Sequence, residues 1–405
     1  MSSIIACGYM IVPILFLAGC FIKAGAIPLH VWLPDAHPAA PSPISAFLSG
    51  IMIKIGAYGI IRVISPNISI EFPIANIGNM LSLIIIVVGI ISMFIGVFLA
   101  LIQKDVKRLL AYHSISQMGY ILLGIGLGTK LGLAGGLYHI INHAIFKGLL
   151  FLGMGAVIFR TGSKKLGDLG GLWKKMPVTT IVCIVAALSI SGIPPFNGFA
   201  SKMILGKAVG EFSIIFKYML TMVSAFTFAS FFKLIKFSFF GKTKESLNSV
   251  QEAPLLMLIP MIVLSAFCII LGLQANTVMN QLIPLAMNEP GHYQMFSKMV
   301  FWTEGLLYDT LLTILLGFTV YFMAVKMGLI DKSDKKMAQS SPLLKRVSCL
   351  SIDSLYCYSA ILTRNSCQKL NKIYSRDFNM HLSWIALTVI ILFFILIIIL
   401  KSPLN

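Results

Sequence analysis

The chain has 405 residues, 58% hydrophobic and 11% charged, where a soluble globular domain carries roughly 25% charged residues. This composition excludes a soluble enzyme or binding module and implies a polytopic membrane protein. The formal net charge of +18 falls mostly in loops, where it sets orientation, and no basic stripe alternates with exposed aromatics as nucleic-acid binding requires.

Taken in chain order, the first apolar segment, 2–22, runs without a small-residue cleavage site into polar-bearing sequence. It reads as a genuine span rather than a signal peptide. Lys23 follows it, placed either to snorkel to an interface or to act inside the membrane. The next stretch, PLHVWLPDAHPAAPSP (28–43), holds four further prolines after Pro28, with His30, Asp35 and His37 between them. Its prolines forbid a regular helix, and Asp35 reads more as a loop hydrogen-bond or cap residue than as a proton relay.

A second span, 43–64, carries Lys54 with mostly apolar residues on either side. Snorkelling is implausible there, and a charged lysine at that depth costs several kcal/mol. The third span, 78–101, is almost wholly apolar. The fourth, 110–129, brings Tyr112, His113, Ser114, Ser116 and Gln117 into the membrane, where they either wet one helix face or tie two helices together.

The fifth span, 132–159, contains HIINHAIFKG (139–148). His139, His143 and Lys147 recur every four residues and so share one helical face. One intramembrane histidine is often only an interhelical hydrogen-bond partner. Two beside a lysine are better suited to passing protons, because imidazole accepts at one nitrogen and releases at the other.

Spans six to nine are expected at 178–198, 204–232, 253–275 and 305–327, and a tenth at 384–401. Gly192, Pro194 and Pro195 interrupt the segment 186–203, which resembles 17–30 as an element broken inside the membrane. Lys202 follows this break, either as a cap or as a proton carrier. The fold expected is therefore all-α, a transmembrane helical bundle of about ten spans with two broken helices. The organisation expected is a channel core over 1–240, additional spans over 241–328, a polar interfacial or partly disordered connection over 329–383, and a last membrane helix.

Loops rich in Lys and Arg follow the third, fifth, seventh and ninth spans, so they share a side and both termini lie on the other. The seven cysteines show no CxxC pairing, and Cys7, Cys20, Cys183 and Cys268 read as small buried hydrophobes. Walker, dinucleotide-binding and HExxH motifs are missing from the sequence. No metal or redox-cofactor ligand set is apparent.

Several ordered stretches now carry a resemblance. FIKAGAIPLHVWLPDAHPAAPSPISAFLSGIMIKIGAYGIIRV, KDVKRLLAYHSISQMGYILLGIG, GGLYHIINHAIFKGLLFLGMGAV, LGGLWKKMP and LSISGIPPFNGFASKMIL cover most of 21–203. Together they resemble the antiporter-like proton-channel subunits of respiratory complex I, with relatives in multisubunit cation/proton antiporters and membrane-bound hydrogenases. The resemblance implies that Lys23 is the lysine of the first broken helix and Lys54 that of the next span. It implies that His139, His143 and Lys147 form a central hydrated axis and that Lys202 is the terminal residue of the second broken helix, a position where some branches carry glutamate.

The resemblance further implies proton translocation in a bacterial or archaeal inner membrane, within a complex-I-like NADH-quinone oxidoreductase. NADH, FMN, iron–sulfur clusters and quinone would belong to partner subunits, and an enzyme name to the assembly. A sodium/proton antiporter subunit and a truncated non-catalytic paralogue are the alternatives. Family members start several spans earlier and pair the lysine matched by Lys23 with a glutamate. The expectation is that a separate subunit supplies those spans, that the chain is truncated, or that the pairing is lost. Other membrane subunits, lipids, protons and possibly sodium are thus the expected partners.

Overall fold

The computed structural model describes residues 3–64, 77–287, 296, 300, 301, 303–330 and 352–373. They are helical throughout apart from turns and one isolated β-bridge between Asp105 and Lys165. Two compact units divide the chain, 1–340 and 341–405. Of the second, the described part is a single helix, Ile352–Ile373, with Tyr358, Ile361 and Leu362 exposed.

The first unit opens with α1 (Ser3–Ala24), α2 (Trp32–Ala39), α3 (Ser42–Phe47) and α4 (Lys54–Ile64), a π-helical turn at Leu48–Met52 joining the last two. The bundle continues through α5 (Ile77–Ile102), α6 (Val106–Gly126), α7 (Lys130–Thr161), α8 (Pro177–Ser191), α9 (Asn197–Phe212) and α10 (Ile214–Phe239). Beyond these lie α11 (Leu255–Leu273), the short turns α12 (Ala275–Thr277) and α13 (Ile283–Ala286), and α14 (Glu304–Lys326). Among the described residues, six helical segments are long and apolar enough to cross a membrane. The tenth expected span, 384–401, lies outside the described residues.

Two expectations need correction. The prolines of 28–43 do not abolish helix: α2 forms two turns across Pro34 and Pro38. Pro34 lies in its first turn, where the missing N–H has no intrahelical acceptor to lose. The boundaries 178–198 and 204–232 also fail. Instead α8 and α9 flank a break at 192–196, and α10 is separated from α9 by Ser213 alone, in extended conformation. Pro194 and Pro195 cannot donate to a helical ladder, so the helix stops before them and restarts after.

The two breaks are built alike. Gly25 and Gly192 take left-handed backbone (φ 67° and 78°), and a cis X–Pro bond follows three residues on, Ile27–Pro28 and Pro194–Pro195. At Gly192 this geometry closes α8, its N–H bonding the Ser189 carbonyl at 2.9 Å.

Small residues let the inner helices meet closely. Gly89 and Gly96 of α5 lie against Gly119 and Ser116 of α6, where a Cβ on either glycine or on Gly119 would strike the facing backbone. The result is that α6 is buried on nearly all sides, although its sequence is among the more polar in the bundle. Asp105 caps its N-terminus, accepting from the Lys107 and Arg108 N–H groups at 2.8 and 3.0 Å. The polar residues of α6 consequently face protein.

Candidate functional site

α7 is 32 residues long, about 48 Å at 1.5 Å per residue, and carries His139, His143 and Lys147 through the middle of the bundle. All three are fully buried. The imidazoles lie nearly parallel, with centroids 6.2 Å apart. His139 is held at both nitrogens, Nδ1 at 2.9 Å from Ser201 Oγ of α9 and Nε2 at 3.0 Å from Gln117 Oε1 of α6. His143 has no protein partner at either nitrogen, and neither has Lys147 Nζ.

Lys147 approaches the faces of Phe151 and Phe231 at 5.7 and 6.0 Å. His37 of α2 stacks on Phe151, centroids 4.5 Å apart, again buried with both nitrogens unpartnered. A buried polar atom without a partner costs about 1–3 kcal/mol. Bridging water relieves that cost where polar groups converge, and the unpartnered nitrogens of His37, His143 and Lys147 form one line of such groups.

Lys54 reaches this line from the π-helical turn. The turn shifts the local hydrogen bonding, with Ile53 N–H meeting the Leu48 carbonyl at 3.2 Å, and Lys54 Nζ donates to the Ser49 carbonyl. Such turns recur at functional sites. Ser49 Oγ is 2.7 Å from Ser114 Oγ of α6, and the adjacent His113 lies 2.8 Å from Ser230 Oγ of α10. Lys54 and Lys147 are electrostatic neighbours. Among the described residues no carboxylate is buried, so a charge on one lysine opposes a charge on the next.

At the other end, Lys202 Nζ is buried without a hydrogen-bond partner. It lies 5.0 Å from the centre of the Tyr120 ring, which is itself 5.6 Å from the His139 ring. A cavity of about 590 Å³ begins at Tyr120, Gly192 and Lys202 and runs between α9, α10 and α14 past Ser224 and Thr313 to Asp309. Near its mouth Lys217 and Asp309 pair at 3.5 Å. Asp309 thus lines the way to Lys202.

The structure therefore brings five of the six expected residues into one buried system. Lys23 stands apart. It occupies the last turn of α1, half-buried, with no hydrogen bond to the other five. Asp35 lies in the first turn of α2 rather than in a loop, and forms an exposed pair with Arg108 at 2.7 Å.

Sequence reasoning missed Tyr120, Asn142, Asn197 and Ser201, and left His113 and Gln117 undecided between two roles. Asn142 donates to the Asn197 carbonyl at 2.8 Å, and Ser189 donates to Asn197 Oδ1, so the α8–α9 break is tied to α7. The available signal was spacing: 113, 117 and 120 share a face of α6 as 139, 143 and 147 share one of α7.

The family profile described as NADH:quinone oxidoreductase/Mrp antiporter, TM, matches residues 4–232. Hydrogenase-4 component B of Escherichia coli is 36% identical over 65% of this chain and 42% of its own length. A Na(+)/H(+) antiporter subunit of Alkalihalophilus pseudofirmus is 35% identical over 68% and 55%, and an NADH-quinone oxidoreductase subunit of Desulforudis audaxviator 33% over 68% and 56%. The chain thus spans about half the length of these curated relatives. Among solved structures, a chain of the archaeal membrane-bound sulfane sulfur reductase superposes with a TM-score of 0.70 at 30% identity. That match covers 93% of this chain and 67% of the other.

Proposed function

This chain belongs to the NADH:quinone oxidoreductase/Mrp antiporter family of membrane proteins, and on that premise we propose that it carries protons across the membrane as one subunit of a larger respiratory complex. The observation that carries this reading is the row of buried groups able to hold a proton, with Lys54 at one end, Lys147, His143 and His139 between, and Lys202 Nζ beside a cavity at the other. Lys147 is the junction. It takes a proton from the Lys54 side and passes it through hydrated His143 to His139.

His139 is oriented to relay, since Ser201 and Gln117 each face one nitrogen. Lys202 then exchanges with water in the cavity. Lys23 is the outlying member, at the break that feeds Lys54. Because like charges oppose one another along the row, protonation at one lysine favours release at the next, which moves charge in steps.

The driving reaction belongs to other subunits. An NADH-quinone oxidoreductase fits a redox-driven complex, as does the likeness to a respiratory membrane complex. The similarity to antiporter subunits favours sodium exchange as the second reading. The deciding experiment is proton flux in proteoliposomes of the native complex, driven by NADH and quinone and repeated under a sodium gradient. Lys147→Ala is expected to abolish flux while the complex still assembles. Normal flux in an assembled variant would remove Lys147 from the path, and flux requiring sodium would select the antiporter.

A further inference from the structure

His113 of α6 is fully buried with only one ring nitrogen engaged. Nε2 lies 2.8 Å from Ser230 Oγ of α10, whereas Nδ1 has no partner among the described residues. Whichever tautomer the Ser230 contact selects, Nδ1 is left as a donor without an acceptor or an acceptor without a donor. A tie between two helices accounts for the first nitrogen and not for the second.

The helix register places that second nitrogen. α6 and α7 run antiparallel through a short connection at 127–129. Gln117 Oε1 lies 3.0 Å from His139 Nε2, and a Cβ on Gly124 would lie 2.8 Å from the Gly132 carbonyl. Carried four residues back along α6 and four on along α7, this register sets His113 level with His143, and Lys147 follows one turn beyond. The His113 ring packs on Phe231 with centroids 4.4 Å apart, and Lys147 Nζ lies 6.0 Å from the centre of the same Phe231 ring. Within one turn, His113, His143 and Lys147 therefore each present a nitrogen without a protein partner.

Lys147 is also the foremost charged neighbour of His113, ahead of Lys233 and Lys202. Lys233 is committed elsewhere, since its ammonium donates to the Ala100, Leu101 and Gln103 carbonyls at 3.4, 2.5 and 2.8 Å. We propose that His113 is a second proton acceptor for Lys147, standing across from His143, so that the row forks between α6 and α7. The inference rests on the transport role proposed for the row. The Lys147 ammonium gives its proton through water to His113 Nδ1 and becomes a neutral amine, while Nε2–H goes on donating to Ser230. Nδ1 then releases the proton towards His139, which Gln117 holds one turn further along α6.

The test measures proton flux in proteoliposomes of the native complex, under the driving force that gives the unaltered complex its flux. Because a second acceptor remains, His143→Gln is expected to keep about a tenth of native flux, and His143→Gln/His113→Gln to fall at least tenfold further. Glutamine retains a hydrogen bond to Ser230 without holding a proton, so a role for His113 as a helix tie alone predicts no further fall. Complete loss of flux in assembled His143→Gln, or equal flux in the single and double variants, overturns the proposal. Should the double variant not assemble, His143→Gln/Ser230→Ala frees Nε2 and is expected to lower the residual flux several-fold. An unchanged residual flux there overturns the proposal as well. Lys147→Ala in the same preparation separates the two readings: flux that persists without Lys147 defeats the transport path itself, whereas flux lost with Lys147 but indifferent to His113 removes only the fork.

Discussion

The centre of the Tyr120 ring lies 5.0 Å from Lys202 Nζ, and the same ring is 5.6 Å from that of His139. Tyr120 therefore stands between the buried histidines and the lysine at the cavity, with its hydroxyl 2.9 Å from Ser224 Oγ. A ring under a desolvated ammonium stabilises it by about 2 kcal/mol. Tyr120→Leu removes that support and is expected to lower proton flux by at least tenfold, while Tyr120→Phe, which keeps the ring, retains most of it. Equal loss in both would mean that the hydroxyl, not the ring, matters.

Gln117 is the partner that aligns His139 Nε2, at 3.0 Å. Gln117→Leu leaves that nitrogen without a protein partner, so the imidazole loses a preferred tautomer. Flux is expected to fall several-fold with unchanged assembly, and adding Gln117→Leu to His139→Leu should cost nothing further, because Gln117 acts through His139. Fully additive losses would separate the two residues.

The α8 N-terminus depends on a residue far along the chain. Glu252 accepts from the Val178 N–H at 2.7 Å and from the Thr179 hydroxyl at 2.6 Å. Removing an N-terminal cap costs about 0.5–2 kcal/mol. Glu252→Ala is expected to lower the unfolding midpoint in detergent without changing flux per folded complex, and reduced flux at full occupancy would give Glu252 a part in transport.

How far these features could be read from sequence follows from their range. The four-residue recurrence of His139, His143 and Lys147 lies within one helix, so periodicity alone finds it. The unexpected depth of Lys54 and Lys202 is legible because lysine in an apolar run is costly. The partners of His139 come from α6 and α9, and nothing local links residues 117, 139 and 201. The helix across Pro34 and Pro38 was hidden because proline's cost depends on its position within the turn. The α9–α10 junction was hidden because Ser213 breaks the helix without glycine or proline.

The α5–α6 interface sets the position of α6 and hence of His113, Gln117 and Tyr120. Gly119 sits against the Gly89 carbonyl and Met93, where a Cβ would force the two helices apart. Gly119→Val is therefore expected to abolish assembly, measured as loss of the monodisperse peak on gel filtration. Gly78, beside which a Cβ meets nothing within 4 Å, should tolerate alanine. A well-assembled Gly119→Val would show that the two helices can separate without harm.

The cavity at Lys202 reaches half-way through the bundle. Ser224 lies ten residues into α10 and Thr313 nine into α14, about 15 Å along each axis, against a hydrocarbon core of about 30 Å. Both helices run from the cavity mouth towards the basic loops, so the opening faces the side away from those loops. Ser224→Cys and Thr313→Cys are expected to react with a membrane-impermeant cationic thiol reagent added on that side and not on the other, above the labelling of the native chain. Lys202→Leu should leave this labelling unchanged while stopping flux, because the space is lined chiefly by other residues. Labelling from the basic-loop side would reverse the direction in which Lys202 exchanges its proton.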